Sequence, residues 1–174
     1  MRLPMSLLAA LMLLPMAALA GCPPAGWDRA GLDALKAARF EGLDEAPRQA
    51  LALGLAGCLG DPDPTLRDGI AYEGLATWLR AEAALAPATR QALLERLTAQ
   101  LSADDAAGFE APFAALVLSE VARTDRIAAW MAPAQRQSLV DASAAYVEGI
   151  QDYRGFTDGE GWRHGVAHGA DLLM

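Results

Sequence analysis

Prolines at positions 64, 87, 112 and 133 punctuate a chain otherwise rich in Ala, Leu and Arg. Proline fixes φ near the helical value and has no backbone N–H, so it is tolerated in the first turn of a helix and disruptive further in. Each of the four therefore marks a helix start and closes what precedes it. Gly60-Asp-Pro-Asp-Pro64 reads as a hard turn, with Asp63 as N-cap and Pro64 at the first helical position. The punctuation predicts helices over 28–39, 45–59, 64–83, 87–101, 112–123 and 127–131, then one from 133 that ends before 155, with an acidic loop over 102–108. No stretch alternates apolar and polar residues as a half-buried strand does, and β-branched residues are sparse. The expected fold is all-α: antiparallel helix pairs forming a HEAT-like solenoid or superhelix. No exact repeat period is visible, so "HEAT-like" describes a shape.

Residues 1–21 are expected to lie outside this fold. Arg2 precedes an uncharged run rich in Leu, Ala and Met, which ends in the small-x-small pattern Ala18-Leu-Ala20. This reads as a removable signal peptide and places the protein in the cell envelope, periplasmic or secreted. Residues 22–27 then form a short tether, and 28–174 form the domain. The same end also reads Leu19-Ala-Gly-Cys22, which resembles a bacterial lipobox, so Cys22 is a candidate for lipidation. The chain has two cysteines, Cys22 and Cys58, and an exported chain invites a disulfide between them. Lipid and disulfide compete for Cys22, and both alternatives stay open.

With 53% hydrophobic residues, the 174-residue chain can bury one core. Its net charge is −8, and losing residues 1–21 would make it −9, since that segment carries Arg2 and no acid. An acidic chain with one lysine, Lys36, and no basic run argues against a nucleic-acid partner. The arginines, scattered among carboxylates, read as solvated helix faces. Membrane association is expected only through the signal segment or a lipid on Cys22. Ser102, Ser119, Ser138 and Ser143 lie in no Gly-x-Ser-x-Gly elbow, and there is no phosphate-binding glycine loop or dinucleotide fingerprint.

The chemistry is concentrated in the last stretch, which holds both histidines. With Asp158 as N-cap and a helix from Gly161 onward, His164, His168 and Asp171 fall within a sector of roughly 60°. Gly161, Gly165 and Gly169 form an adjoining strip, where the backbone of another helix would approach closely. Trp162 lies beyond that strip. His-x-x-x-His-x-x-Asp has the spacing for a divalent metal such as Zn, with His164 and His168 as ligands and Asp171 as a third ligand or orienting partner. The glutamate of a His-Glu-x-x-His metalloprotease is absent, since residue 165 is Gly. A hydrogen-bonded cluster with no metal is the alternative. Two imidazoles one turn apart would repel if both were charged, which favours neutral burial.

Two further positions join this set. Asp68 shares an apolar helix face with Tyr72, Leu75 and Leu79, so its carboxylate needs a partner. Tyr72, Arg154 and His164 are the candidates. Trp78 and Trp130 read as core or rim.

Four segments carry a resemblance: Asp63-Pro-Thr-Leu-Arg-Asp-Gly-Ile-Ala-Tyr-Glu73, Phe113-Ala-Ala-Leu-Val-Leu118, Asp152-Tyr-Arg-Gly-Phe156 and Gly161-Trp-Arg-His-Gly-Val-Ala-His-Gly-Ala-Asp-Leu-Leu173. Together they resemble the family of domains of unknown function DUF2785, from about residue 28 to the C-terminus. The resemblance implies a helical-repeat fold and no stated activity. The family tends to show Arg-Ser before Phe113, where this chain has Ala111-Pro112. Family members also continue past the last motif, so the final helix is expected to lack a packing partner and any site to lack a part. The reading is an exported binding or scaffold protein for an unknown protein or small-molecule ligand. Its groove would involve Asp68, Tyr72, Arg154, Trp162, His164, His168 and Asp171. The alternative is a metal-dependent hydrolase on the same face; no cofactor is otherwise implied.

Overall fold

The computed structural model describes residues 21–174, so all but the last residue of the expected signal segment, and with it the first half of the lipobox, lie outside the described residues. The chain is mostly helical, as the proline punctuation predicts. Helix α1 (Arg29–Ala37) starts at Asp28, whose carboxylate accepts from the Gly31 amide at 2.8 Å. Helix α2 (Glu45–Leu55) passes into a short 3-10 turn (Ala56–Cys58). After the Gly60–Pro64 turn, α3 (Pro64–Leu66) opens with Asp63 accepting from the Thr65 amide at 2.8 Å. It runs without a break through a π-helical segment (Arg67–Tyr72) into α4 (Glu73–Arg80). Then follow α5 (Pro87–Gln100), α6 (Glu110–Ile127) and α7 (Pro133–Gly149).

Two expectations fail between α5 and α7. Helix α6 begins at Glu110 instead of Pro112, because Asp105 accepts the amides of Gly108, Phe109 and Ala111 at 2.9, 3.2 and 3.0 Å and caps the approach. Pro112 is still in the first turn, where its missing N–H goes unnoticed. The helix over 127–131 does not form. Instead α6 extends through Ile127, and the chain then bends around Asp125, which accepts the amides of Trp130 (2.6 Å) and Met131 (2.7 Å) and binds Arg136.

Helix α6 is the centre of the core, with Ala114, Ala115, Val117, Leu118 and Val121 fully buried, and it packs against α4, α5 and α8. Helix α2 packs on α4 and α5, and α1 on the π segment. Trp78 is in the core, as expected, and its indole N–H donates to the Phe40 carbonyl at 2.9 Å. Cys22 is bonded to Cys58, with Cα atoms 5.1 Å apart, which ties the 22–27 segment to the end of α2. Among the described residues no helix is long and apolar enough to cross a membrane.

The last stretch departs most from expectation. Phe156–Thr157 (β1) and Gly161–Trp162 (β2) pair antiparallel, Phe156 opposite Trp162, so the fold includes a small two-stranded sheet. Helix α8 (Gly165–Leu173) starts four residues later than predicted. Gly159 and Gly161 have φ of +80° and +82°, a region that cannot be helical. Asp158 is therefore a turn residue instead of an N-cap, and Trp162 is on a strand. The residue that opens α8 is His164 itself, left-handed at φ 54° and ψ 32°.

Candidate functional site

The hairpin is held down by two buried arginines, both expected in solvent. Arg67, fully buried on the π segment, donates to the carbonyls of Asp61 (2.9 Å) and Glu160 (2.7 Å). Its guanidinium carbon lies 3.9 Å from the centre of the Phe109 ring and 5.1 Å from that of Phe113. Arg163 approaches Phe109 as well, at 4.1 Å, and donates to Ala107 O and to the Glu160 carboxylate, each at 3.0 Å. Burial lowers the pKa of Arg67, with the nearby charge of Arg163 acting the same way and Asp68 opposing. Gly161 makes this approach feasible: a Cβ there would be 2.8 Å from Arg67 Nη2 and 3.0 Å from Pro64 Cβ.

Arg67 Nε is 2.7 Å from Asp68 Oδ1, so Arg67 is the partner the Asp68 carboxylate requires. The pair is in contact without the alignment of a hydrogen bond. Arg154, expected as a candidate partner, instead closes on Asp152 at 2.5 Å, exposed. Burial still raises the pKa of Asp68 against the pull of Arg67.

Above this base runs a groove of about 460 Å³ lined by Asp68, Tyr72, Glu73, Phe113, Leu116, Trp162, His164, Ala167, His168 and Asp171. Six of the seven residues singled out from sequence thus share one concavity, and Arg154 is the exception. Their rings form an unbroken series. Phe156 meets Trp162 at 5.0 Å, Trp162 meets His164 at 4.2 Å, and His164 stacks near-parallel on His168 at 5.9 Å. His168 meets Phe113 edge-on at 5.3 Å, and Phe113 meets Tyr72 at 6.4 Å.

The left-handed turn at His164 sets its ring between Trp162 and His168. His168 Nδ1 is 3.2 Å from the Pro112 carbonyl. A carbonyl only accepts, so Nδ1 carries the proton and Nε2 keeps its lone pair. Burial, with the adjacent His164 adding to it, pushes the His168 pKa down to about 4. Among the described residues no three His, Cys, Asp or Glu side chains converge to hold a metal ion. His164, His168 and Asp171 share a groove and do not form a ligand set.

The larger cavity, of about 580 Å³, lies on the other side of Gly165, between α5, α6 and α7. Its charged groups are already engaged: Asp105 caps α6, Asp152 holds Arg154, and Arg163 spans Ala107 and Glu160. Tyr146 also faces it, and burial pushes its phenol pKa up to about 12.

The model of a family described as protein of unknown function (DUF2785) matches residues 93–174, just under half of the chain. The match takes in most of α5, all of α6, α7 and α8, and the hairpin. The resemblance read from the motifs is shown over those residues, and Asp63–Glu73, including Asp68 and Tyr72, lies outside them. No curated protein and no solved structure matches the chain.

Sequence reasoning missed Arg67 and Arg163. The available signal was Phe109 and Phe113, two aromatic residues one helical turn apart that offer ring faces to a cation.

Proposed function

We propose that this chain is an exported helical-repeat protein of HEAT-like shape whose role is binding, with the groove between the π segment and α8 as its ligand site. The observation that carries this is the ring series itself. Segments distant in sequence, 68–73 and 162–171, meet along one concavity with aromatic faces and carboxylates on its walls. Trp162 remains 45% exposed and Phe156 57% exposed at one end of it. Clustered apolar surface of this kind is a mark of an interaction site. The left-handed His164 points the same way: a non-glycine residue held there costs on the order of 1–3 kcal/mol, and such positions cluster at ligand clamps. A π-helical insertion in a site wall, as at Arg67–Tyr72, is also frequent at functional positions.

Binding is favoured over metal-dependent hydrolysis because the groove lacks a converging ligand set. Export is supported by the Cys22–Cys58 bond, a linkage that persists in oxidising compartments. A sulfur so bonded carries no lipid, so the reading is a periplasmic or secreted protein not anchored through Cys22.

A thermal-shift screen of small molecules against wild type and Trp162→Ala tests the reading, since this exposed ring can be removed without opening the core. Compounds that raise the melting temperature of wild type should lose that effect in the variant. Stabilisation indifferent to Trp162→Ala would place the site elsewhere.

A further inference from the structure

We infer that the groove selects an organic cation rich in N–H donors, a primary ammonium or an amidinium-like group carried on an apolar body. The inference rests on the binding reading above and follows from counting what the groove can offer. Asp68, Glu73 and Asp171 contribute carboxylates, which only accept when ionised. His168 presents an acceptor too, because its one N–H is taken up by the Pro112 carbonyl. With its pKa pushed down to about 4, it is neutral at physiological pH and sets no positive charge against an incoming cation.

The cations nearby are already used. Arg67 lies buried against Asp68, with two donors on backbone carbonyls, Lys36 closes on Glu73 at 3.2 Å, and Arg80, beside Tyr72, is paired with Glu120. Asp171 makes no ion pair among the described residues. The remaining donors are the Tyr72 hydroxyl, the Trp162 indole N–H and the His164 ring. An anion entering here would meet the unpaired Asp171 carboxylate, the paired carboxylates of Asp68 and Glu73, and no uncommitted cation. A donor-rich cation would meet acceptors on one side and, on the other, the rings of Tyr72 and Trp162, which attract positive charge. The volume of about 460 Å³ is that of a small-molecule site, large enough for an apolar body behind the charged group. A free amine and an arginine or lysine side chain of a peptide share this chemistry.

Benzamidine, benzamide and benzoate have nearly the same shape and differ in charge, so they test the inference by NMR titration of the intact mature protein. Benzamidine should shift the Trp162 indole and Tyr72 signals and bind at least tenfold more tightly than benzamide, with benzoate weakest. Asp171→Asn should weaken benzamidine about tenfold and leave benzamide unchanged. Glu73→Gln, at an exposed position, gives a second variant if the first fails to fold. An N-acetylated, C-amidated tripeptide with a central arginine, compared with N-acetylarginine methylamide, separates the two sources. Tighter binding of the tripeptide indicates a peptide, and equal or weaker binding a free small molecule. Benzamide or benzoate shifting the groove as strongly as benzamidine would overturn the cation selectivity and leave the binding function standing. Groove signals unmoved by these three but moved by compounds from the thermal screen would have the same meaning. Groove signals unmoved by any compound would overturn both.

Discussion

At residue scale the site turns on Gly161 and the arginine it admits. Gly161→Ala would force a left-handed alanine against Arg67 and Pro64, and should cost ~1–3 kcal/mol in chemical denaturation. Arg67→Met should cost more, ~3–5 kcal/mol, because it leaves Asp68 and two carbonyls unpaired in a buried place. His168 makes the fold acid-sensitive, and the sign follows from its lowered pKa. The unfolded chain takes up a proton below about 6.5, whereas the folded site refuses it until about 4. This contribution is complete above pH 6.5 and is lost as pH falls from 6.5 to 4. His168→Phe should flatten the part of the melting-temperature profile that lies in that window, and an unchanged profile would mean the imidazole is not held neutral. The histidines, Asp68 and Tyr72 were legible in the sequence because polar residues on apolar faces are conspicuous. Arg67 and Arg163 were not, because a charged residue among carboxylates looks the same whether its partners are water or a buried ring.

At the scale of elements, helices announced by proline were legible nearly to the residue, since proline acts through its own covalent geometry. The hairpin was not. Period counting from Gly161 assumes helical φ, and positive φ at Gly159 and Gly161 has no periodic signature. The π segment was hidden for a related reason, as it inserts a residue without changing composition. Two of the three members of the glycine strip, Gly165 and Gly169, are on α8, and Gly161 is not. Gly165 and Gly169 do face α7, but its side chains meet them instead of the expected backbone: a Cβ on Gly169 would lie 2.7 Å from Val147 Cγ2, and one on Gly165 3.3 Å from the Tyr146 hydroxyl. Gly169→Leu should therefore overpack the α7–α8 contact and cost ~1–3 kcal/mol by denaturation. A neutral result would mean that α8 can slide on α7, and the groove would then lack a fixed wall.

At the scale of the whole molecule, the disulfide and the groove sit on different parts of one core, so they can be tested separately. Cys22 and Cys58 close a loop across a sequence separation of 36, and loop-closure entropy gives roughly 4 kcal/mol for such a bridge. Reduction should lower the denaturation midpoint accordingly while leaving any ligand affinity measured below that midpoint unchanged. Mass spectrometry of the mature protein should show two hydrogens fewer than the reduced mass and no lipid on Cys22. The all-helical reading captured the bulk of the chain because α6 and its neighbours are built from local periodicity. It could not show that residues 68–73 lie under residues 162–171, since that meeting depends on two buried arginines and on the packing of α8 against α6. The most direct test of the central claim is therefore NMR mapping of compounds that stabilise the protein. Shifts should cluster at Asp68, Tyr72, Trp162, His164, His168 and Asp171. Shifts confined to the cavity around Tyr146 and Asp152, with those six residues unmoved, would contradict that claim.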